Sequence, residues 1–364
     1  PLCFKGGFLR WVFNVGVLKG VPPFINILTY INMKLNNANY VIFFIILIGL
    51  SMFYKKLKLD EDINTSDYYY KMVNQYLLTD KSLGINTKPL LWIHLHNDNT
   101  IIPDVNSRFW INFKSRNTKE FNQPYQYLTI KSIIDKCGDD FNILLIDDES
   151  FKKILPNWSV DLKTMANPIK THIRQLALTS ILNAYGGMLV PSSFVCFKSL
   201  KPIYNANIRE NKMFVGEFLN RTSQGSNITQ GLLPSAKFMG CNANNKEMQE
   251  FIKYLEILNS TDFVAEADLL GKTNYWLNNA VNEQKINNIN GLFIGTKKSD
   301  ERPILVDELV GSTYINLHDD AFGLYVPWDE LIQRSTLQWF VRMSPQQILE
   351  SNTVIGKYLL TNSD

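Results

Sequence analysis

From residue 89 onward the hydrophobic positions change period again and again, with short unbroken apolar runs alternating with stretches of helical spacing. "LLWIHLH" (Leu90 to His96) and "NILLIDDES" (Asn142 to Ser150) read as strands, the second ending in acids. Between them "YQYLTIKSIIDKC" (Tyr125 to Cys137) has the pattern of an amphipathic helix. Two apolar strands joined by a helical crossover are expected to lie parallel in one sheet. After Pro168, Ile173, Ala177, Ile181 and Ala184 recur on one helical face, and Leu178 and Leu182 give a second apolar side, so this helix should be buried on most sides. Gly186 and Gly187 end it, since glycine readily takes the left-handed conformation at a helix C-terminus, and "MLV" resumes as a strand. "KMFVGEFL", "AKFMGC", "GLFIG" and "STYINL" are predicted strands, and "NNKEMQEFIKYLEIL" a helix. "SPQQ" opens the last helix, with Ser344 as cap, Pro345 in the first turn and Gln347 completing a capping box. The alternation predicts one α/β domain over residues 89–364, with a mostly parallel central sheet.

The stretch before residue 89 has a different character. "YVIFFIILIGLSMFY" (residues 40–54) is uncharged and flanked by tyrosines, which suits the interface between water and lipid. It is short for a bilayer that wants about 20 residues, but Lys55, Lys56 and Lys58 can snorkel and extend its reach. It is read as a membrane helix in preference to a buried core helix, and as an uncleaved anchor because no small-residue cleavage site follows. Lysines stand on both sides, so the charge rule leaves the orientation open. Residues 55–88, polar and tyrosine-bearing, read as a stalk containing one short helix. Residues 1–39 read as a leader or fragment, with synthesis expected to begin at Met33. The expected location is a single-pass protein of a Golgi- or ER-type membrane or of a viral membrane.

Composition narrows the function classes. The 364 residues are 45% hydrophobic and 20% charged, which suits a folded chain able to bury a sizeable core. A net charge of +3 over that length makes no basic footprint, so nucleic acid is not an expected partner. Cys3, Cys137, Cys196 and Cys241 lie far apart and read as buried small hydrophobes rather than disulfides or metal ligands. Asparagine, isoleucine and lysine abound, as in proteins of AT-rich genomes such as those of some protists and large DNA viruses. The same abundance makes the Asn-x-Ser/Thr triplets uninformative about secretion. The chain has no Walker loop, no G-x-G-x-x-G and no G-x-S-x-G elbow, which removes the kinase, dehydrogenase and hydrolase readings.

The order "KPLLWIHLHND", "IIP", "NILLIDDESF", then "LNAYGGMLVPSSF" and "KSLKP" resembles glycosyltransferase family 32, whose relatives include capsular-polysaccharide and initiating mannosyltransferases. The resemblance covers roughly Pro89 to Pro202, and its most specific element is the Tyr-Gly-Gly turn with the strand after it. It implies a GT-A-like nucleotide-diphospho-sugar transferase fold. In that family two carboxylates of a D-x-D sequence hold a divalent cation, Mn²⁺ or Mg²⁺, on the diphosphate of the donor. Hard carboxylate oxygens suit such an ion, which neutralises charge on the phosphate as the sugar leaves. Here the two positions are Pro191 and Ser193. The acid and the arginine that the family carries on the preceding helix fall at Gln175 and Leu178, with Arg174 out of register.

Two readings therefore stand. In one, the domain transfers a hexose from a nucleotide-diphosphate sugar to a glycan or protein hydroxyl. It does so without metal, using Ser192, Ser193 and basic side chains, or with a metal held by Asp147 and Asp148, which lie where ligands of open α/β sheets gather. Those two aspartates also suit capping of the helix "DESFKKIL". The candidate donor-binding positions are His94, Asp147, Asp148, Tyr185, Gly186, Gly187, Ser192 and Ser193, and a fold-internal hydrogen bond is the expected role of His94. Glu266 and Asp268 are candidates for the base that activates the acceptor, against an ordinary solvated helix start. His96, His172 and His318 have no zinc spacing. Trp92, Trp110, Trp276, Trp328 and Trp339 include candidate sugar platforms, though tryptophan more often builds core. In the other reading the domain is an inactive glycosyltransferase-like scaffold.

Overall fold

Strand β1 (Leu90–His94) and strand β2 (Asn142–Ile146) pair in parallel, from Leu90 opposite Asn142 to His94 opposite Ile146. The computed structural model describes residues 46–54, 88–96, 123–156, 158–165, 169–220, 231–260 and 266–362. Near-continuous apolar runs such as these two suit strands covered on both faces. Alternation along them sends Leu91, Ile93, Ile143 and Leu145 into one core layer, and Trp92, Leu144 and Ile146 into the other.

Helix α1 (Tyr125–Cys137) covers the first layer with Tyr127, Ile130, Ile133 and Ile134. The second is covered by Phe151 of α2 (Ser150–Ile154) and by Ala177, Ile181 and Leu182 of α3 (Ile169–Tyr185). The result is helix, sheet, helix. Burying a side chain the size of Trp92, Phe151 or Ile93 contributes about 1.5–3 kcal/mol against leaving it in water.

Strand β3 (Gly187–Leu189) joins the other side of β1 in parallel. Gly186 and Gly187 have φ of 70° and 100°, which lets α3 stop and the chain reverse into the sheet. The indole Nε1 of Trp92 donates to Gly186 O at 2.9 Å and fixes that turn to β1. Short strand β4 (Phe194–Cys196) and helix α4 (Lys201–Asn207) follow. The sheet then continues through β5 (Phe214–Asn220), β6 (Gly231–Cys241) and β7 (Asn287–Ile289), in the order β2-β1-β3-β6-β5-β7. Only β6 runs against the others, because its pairings with β3 and β5 are antiparallel while the rest are parallel. The expected mixed α/β architecture with a mostly parallel sheet is thus found.

Helix α5 (Lys246–Asn259) starts where expected, with the Asn245 side chain accepting from Met248 N at 2.9 Å, and α6 (Glu266–Asn282) follows it. A third core gathers Tyr125 and Leu128 of α1, Val195 of β4, Leu324 of β8 (Gly323–Tyr325), and a string of short C-terminal helices. These are α7 (Val306–Val310), α8 (Trp328–Gln333), α9 (Gln338–Val341), α10 (Pro345–Leu349) and α11 (Val354–Thr361). β8 pairs antiparallel with β4 in a separate two-stranded sheet.

Three expectations are corrected. "GLFIG" is a run of turns in which Gly295 has φ of 62°, and β7 precedes it. "STYINL" is irregular, and the strand of this region is β8, because it is β4 that offers a free edge there. The Ser344 capping box forms, but its helix ends at Leu349 and α11 follows as the last helix, capped by Thr353.

The chain divides into two units, Pro1–Asp60 and Glu61–Asp364. In the first, residues 46–54 are helical and expose Ile46, Leu50 and Phe53. Among the described residues no helix is long and apolar enough to cross a membrane. The span expected over residues 40–54 lies partly outside the described residues, and the leader and the stalk helix lie wholly outside them.

Candidate functional site

Parallel pairing brings the carboxyl ends of β1, β2 and β3 to one edge of the sheet. Leu95 N donates to Ile146 O at 2.8 Å and Val190 N to Trp92 O at 3.0 Å, so the three chains leave the sheet together. His96, the pair Asp147 and Asp148, and Pro191 to Ser193 emerge there. This is the edge at which open α/β sheets bind ligands.

The centre of this edge is Asp148. Arg174, from the second turn of α3, grips it with two hydrogen bonds, Nε to Oδ1 at 2.8 Å and Nη2 to Oδ2 at 2.7 Å. His94 Nε2 donates to Oδ1 at 3.0 Å, and Lys170 Nζ, one helical turn before Arg174, is 3.7 Å from Oδ2. The side chains of His94, Arg174 and Lys170 are buried, and that of Asp148 nearly so. Burial opposes the charge on Asp148, but the hydrogen bonds and positive charge of its partners prevail and hold its carboxyl well below the usual carboxylate range.

The two histidines are fixed as neutral rings. A guanidinium can only donate, so His96 Nδ1, 3.3 Å from Arg174 Nη1, is an acceptor and the proton sits on Nε2. Burial lowers the pKa of His96, and the positive charge of Arg174 beside it lowers it further. Burial also lowers that of His94, and the bond to Asp148 offsets this only in part. His94 stacks on Phe151, and His96 lies on the indole of Trp328 with ring centroids 4.5 Å apart.

The C-terminal elements come over this edge. Val326 N donates to Ser193 O at 3.2 Å, continuing the β4–β8 pairing, and Gln123 Nε2 donates to Trp328 O at 3.0 Å. Lys237, on β6 two residues from the β3 pairing, bonds Asp329 Oδ2 at 2.9 Å and approaches the Tyr325 hydroxyl at 3.4 Å. Farther along the sheet Glu217 of β5 pairs with Lys297 at 3.0 Å and accepts from Gly291 N.

The expected site residues take distinct places. His94 makes the hydrogen bond within the fold expected of it. Asp147 ties down the start of α2, with Oδ1 accepting from Ser150 N at 2.9 Å and Ser150 Oγ at 2.6 Å. Tyr185 donates to Ile154 O at 2.6 Å, away from the edge, and Gly186 and Gly187 form the turn. Ser192 and Ser193 are both buried; Ser192 Oγ donates to Gln126 Oε1 at 3.0 Å, and Ser193 Oγ has no partner among the described residues. Glu266 and Asp268 occupy the first turn of α6. Trp92 is core, Trp276 stacks on Phe251, Trp339 is half exposed, and Trp110 lies outside the described residues.

These donors do not fit a divalent cation. Both oxygens of Asp148 are engaged by cations, Asp147 is engaged by Ser150, and Pro191 and Ser193 offer an imino ring and a buried hydroxyl. Among the described residues no group of three or more His, Cys, Asp or Glu side chains is placed to hold a metal.

Sequence reasoning missed the ligation of Asp148 by Arg174 and Lys170. A signal existed, since Lys170 and Arg174 stand at i and i+4 on a helix expected to be buried on most sides, and buried cations are found paired. Lys237, Trp328 and Asp329 carried no such signal, for their approach depends on β8 pairing with β4.

No family model and no curated protein matches the chain. Among solved structures it is similar to the apo-form glycosyltransferase GlyE of Streptococcus pneumoniae TIGR4, with TM-score 0.29 and 12% identity, over 57% of this chain and 46% of that one. The chain therefore spans less than half the length of GlyE. It is also similar to the galactosyltransferase LgtC in complex with donor and acceptor sugar analogues, with TM-score 0.30 and 12% identity, over 56% of this chain and 74% of that one. An active-site mutant of LgtC gives TM-score 0.30 and 13% identity over the same shares, 56% and 74%. At that level of superposition the likeness carries no functional weight.

Proposed function

We propose that this chain is a glycosyltransferase-like protein that binds a nucleotide-diphosphate sugar at the carboxyl edge of its sheet without a divalent cation. The observation that carries the reading is the ionic cluster of Asp148, Arg174, Lys170 and the two neutral histidines at the carboxyl ends of adjacent parallel strands. Charged groups are kept in such a buried place at a cost, and a cleft at this edge is where the fold class presents ligands. The resemblance of the Tyr-Gly-Gly turn and its strand to family 32, with a GT-A-like fold, supports the same substrate class.

In the reaction proposed, the bond between the anomeric carbon and the diphosphate oxygen breaks with its electron pair on the leaving nucleotide. An acceptor hydroxyl of a glycan or protein bonds to that carbon and gives its proton to a base, for which Glu266 and Asp268 are the candidates. Lys237, whose side chain is half-buried and bonded to Asp329, and the Arg174 cluster supply the positive field for the leaving diphosphate. Residues 40–54 tether the domain to a membrane in this proposal, supported by their uncharged sequence and the exposed apolar side chains of residues 46–54.

The test is calorimetry of the detergent-solubilised chain against UDP, GDP and their hexose conjugates, with Mn²⁺ and then with chelator. Binding that survives chelation is expected, and binding lost with the metal would refute the metal-free site. A second reading has its own observation: Ser193 is sealed and Asp148 saturated, which suits an inactive scaffold. A folded chain that binds none of these nucleotides decides for it.

A further inference from the structure

Cys137 ends α1 and Cys196 ends β4, and both are buried in the same core layer with their sulfurs 3.8 Å apart. Fifty-nine positions separate them along the chain. Two short polar side chains of α1 bring the elements together. Ser132 Oγ accepts from Cys196 N at 2.9 Å, and Thr129 Oγ1 donates to Ser192 O. The helix and the strand therefore approach backbone to side chain, as close as elements joined by a disulfide must. Cys241 is also a free, buried thiol, but it lies in the other core layer and its sulfur donates to Leu182 O at 3.5 Å.

We propose that Cys137 and Cys196 are a disulfide-forming pair. Each thiol gives up its hydrogen, one sulfur–sulfur bond forms, and a small-molecule disulfide such as oxidised glutathione is reduced to two thiols. No other oxidant is needed. The bond closes a loop containing all of β2, α3 and β3, so it removes freedom mainly from the unfolded chain. In the folded protein it pins α1 to β4, the strand that directly follows Pro191 to Ser193. Oxidation would thereby stiffen the candidate site without touching any of its charged groups.

The experiment is peptide mass mapping under non-reducing conditions. The full chain is first equilibrated with excess oxidised glutathione just below its thermal midpoint, where buried thiols open, and remaining thiols are alkylated after unfolding. The expected result is one peptide pair joining Cys137 to Cys196, two hydrogens lighter than the sum of its parts, with Cys241 alkylated. The thermal midpoint should be higher oxidised than reduced, and Cys137→Ala and Cys196→Ala should each remove that difference. Recovery of Cys137 and Cys196 as alkylated thiols, or either one joined to Cys3 or Cys241, overturns the pairing.

Discussion

The guanidinium of Arg174 and the carboxylate of Asp148 meet edge to edge in two parallel hydrogen bonds, with side chains only 3% and 13% exposed. A helix thus donates a fixed positive group to the end of a strand whose own sequence announces only acids. Removing the arginine leaves Asp148 buried and ionised with weaker partners, so Arg174→Met is expected to cost about 3–5 kcal/mol in urea unfolding. Arg174→Lys keeps the charge but loses the fork, and should recover only part of it. A loss near zero would show the pair to be open to water.

Acid should destabilise the fold in two stages. Burial holds His94, His96 and His172 below the ordinary histidine value of 6.5, so the unfolded chain takes up protons that the folded chain refuses. Their stabilisation is whole above about pH 7 and is lost as pH falls through about 6.5 toward the lower folded values, by up to about 1.4 kcal/mol per pH unit for each ring. Asp148 acts in a lower window. Its folded carboxyl lies below the unfolded value, so its contribution is present above about pH 4 and fades as pH falls further. Denaturant midpoints across the two windows test this, and His96→Asn should flatten the upper one. A flat upper limb in the wild type would mean that the imidazoles titrate as in water.

The adjacent serines should respond differently to truncation. Ser192→Ala strands the Gln126 carbonyl oxygen and is expected to cost about 1 kcal/mol. Ser193→Ala removes a buried hydroxyl that no described group satisfies, so its effect should be neutral or stabilising. Unfolding curves for the two variants decide it, and a larger loss at Ser193 would reveal a partner for that hydroxyl.

Glycine at 187 is required by both backbone and space. Its φ is 100°, and a Cβ would run into the carbonyl oxygen of Leu90 on β1. Gly187→Ala should cost about 3 kcal/mol or more and part β3 from β1. Gly271 is the contrast: it sits inside α6 with nothing within 4 Å of an added Cβ. Gly271→Ala should gain about 1 kcal/mol through helix propensity. Thermal midpoints of equal sign for the two would contradict this account.

Much of the layer structure was legible beforehand because it depends on local period. "LLWIH" and "NILLI" read as strands from their unbroken apolar runs, the two glycines after Tyr185 read as a helix end, and the Ser344 cap is a contact within one turn. "GLFIG" and "STYINL" failed for the opposite reason. Short apolar stretches become strands only where an edge is available, and β4 took β8 as its partner.

The candidate site divides along the same line. From the chain alone came the Tyr-Gly-Gly turn, the acids after β2 and the strand histidine. What only the tertiary structure decided is how the two aspartates differ. Asp147 serves its own helix start, whereas Asp148 is filled by Arg174 from 26 positions away and His94 from 54. Adjacent acids are alike to any local rule. Their roles parted when parallel pairing of β1 and β2 brought His94 level with Ile146, and when α3 packed its apolar face on the sheet and carried Lys170 and Arg174 to the strand ends.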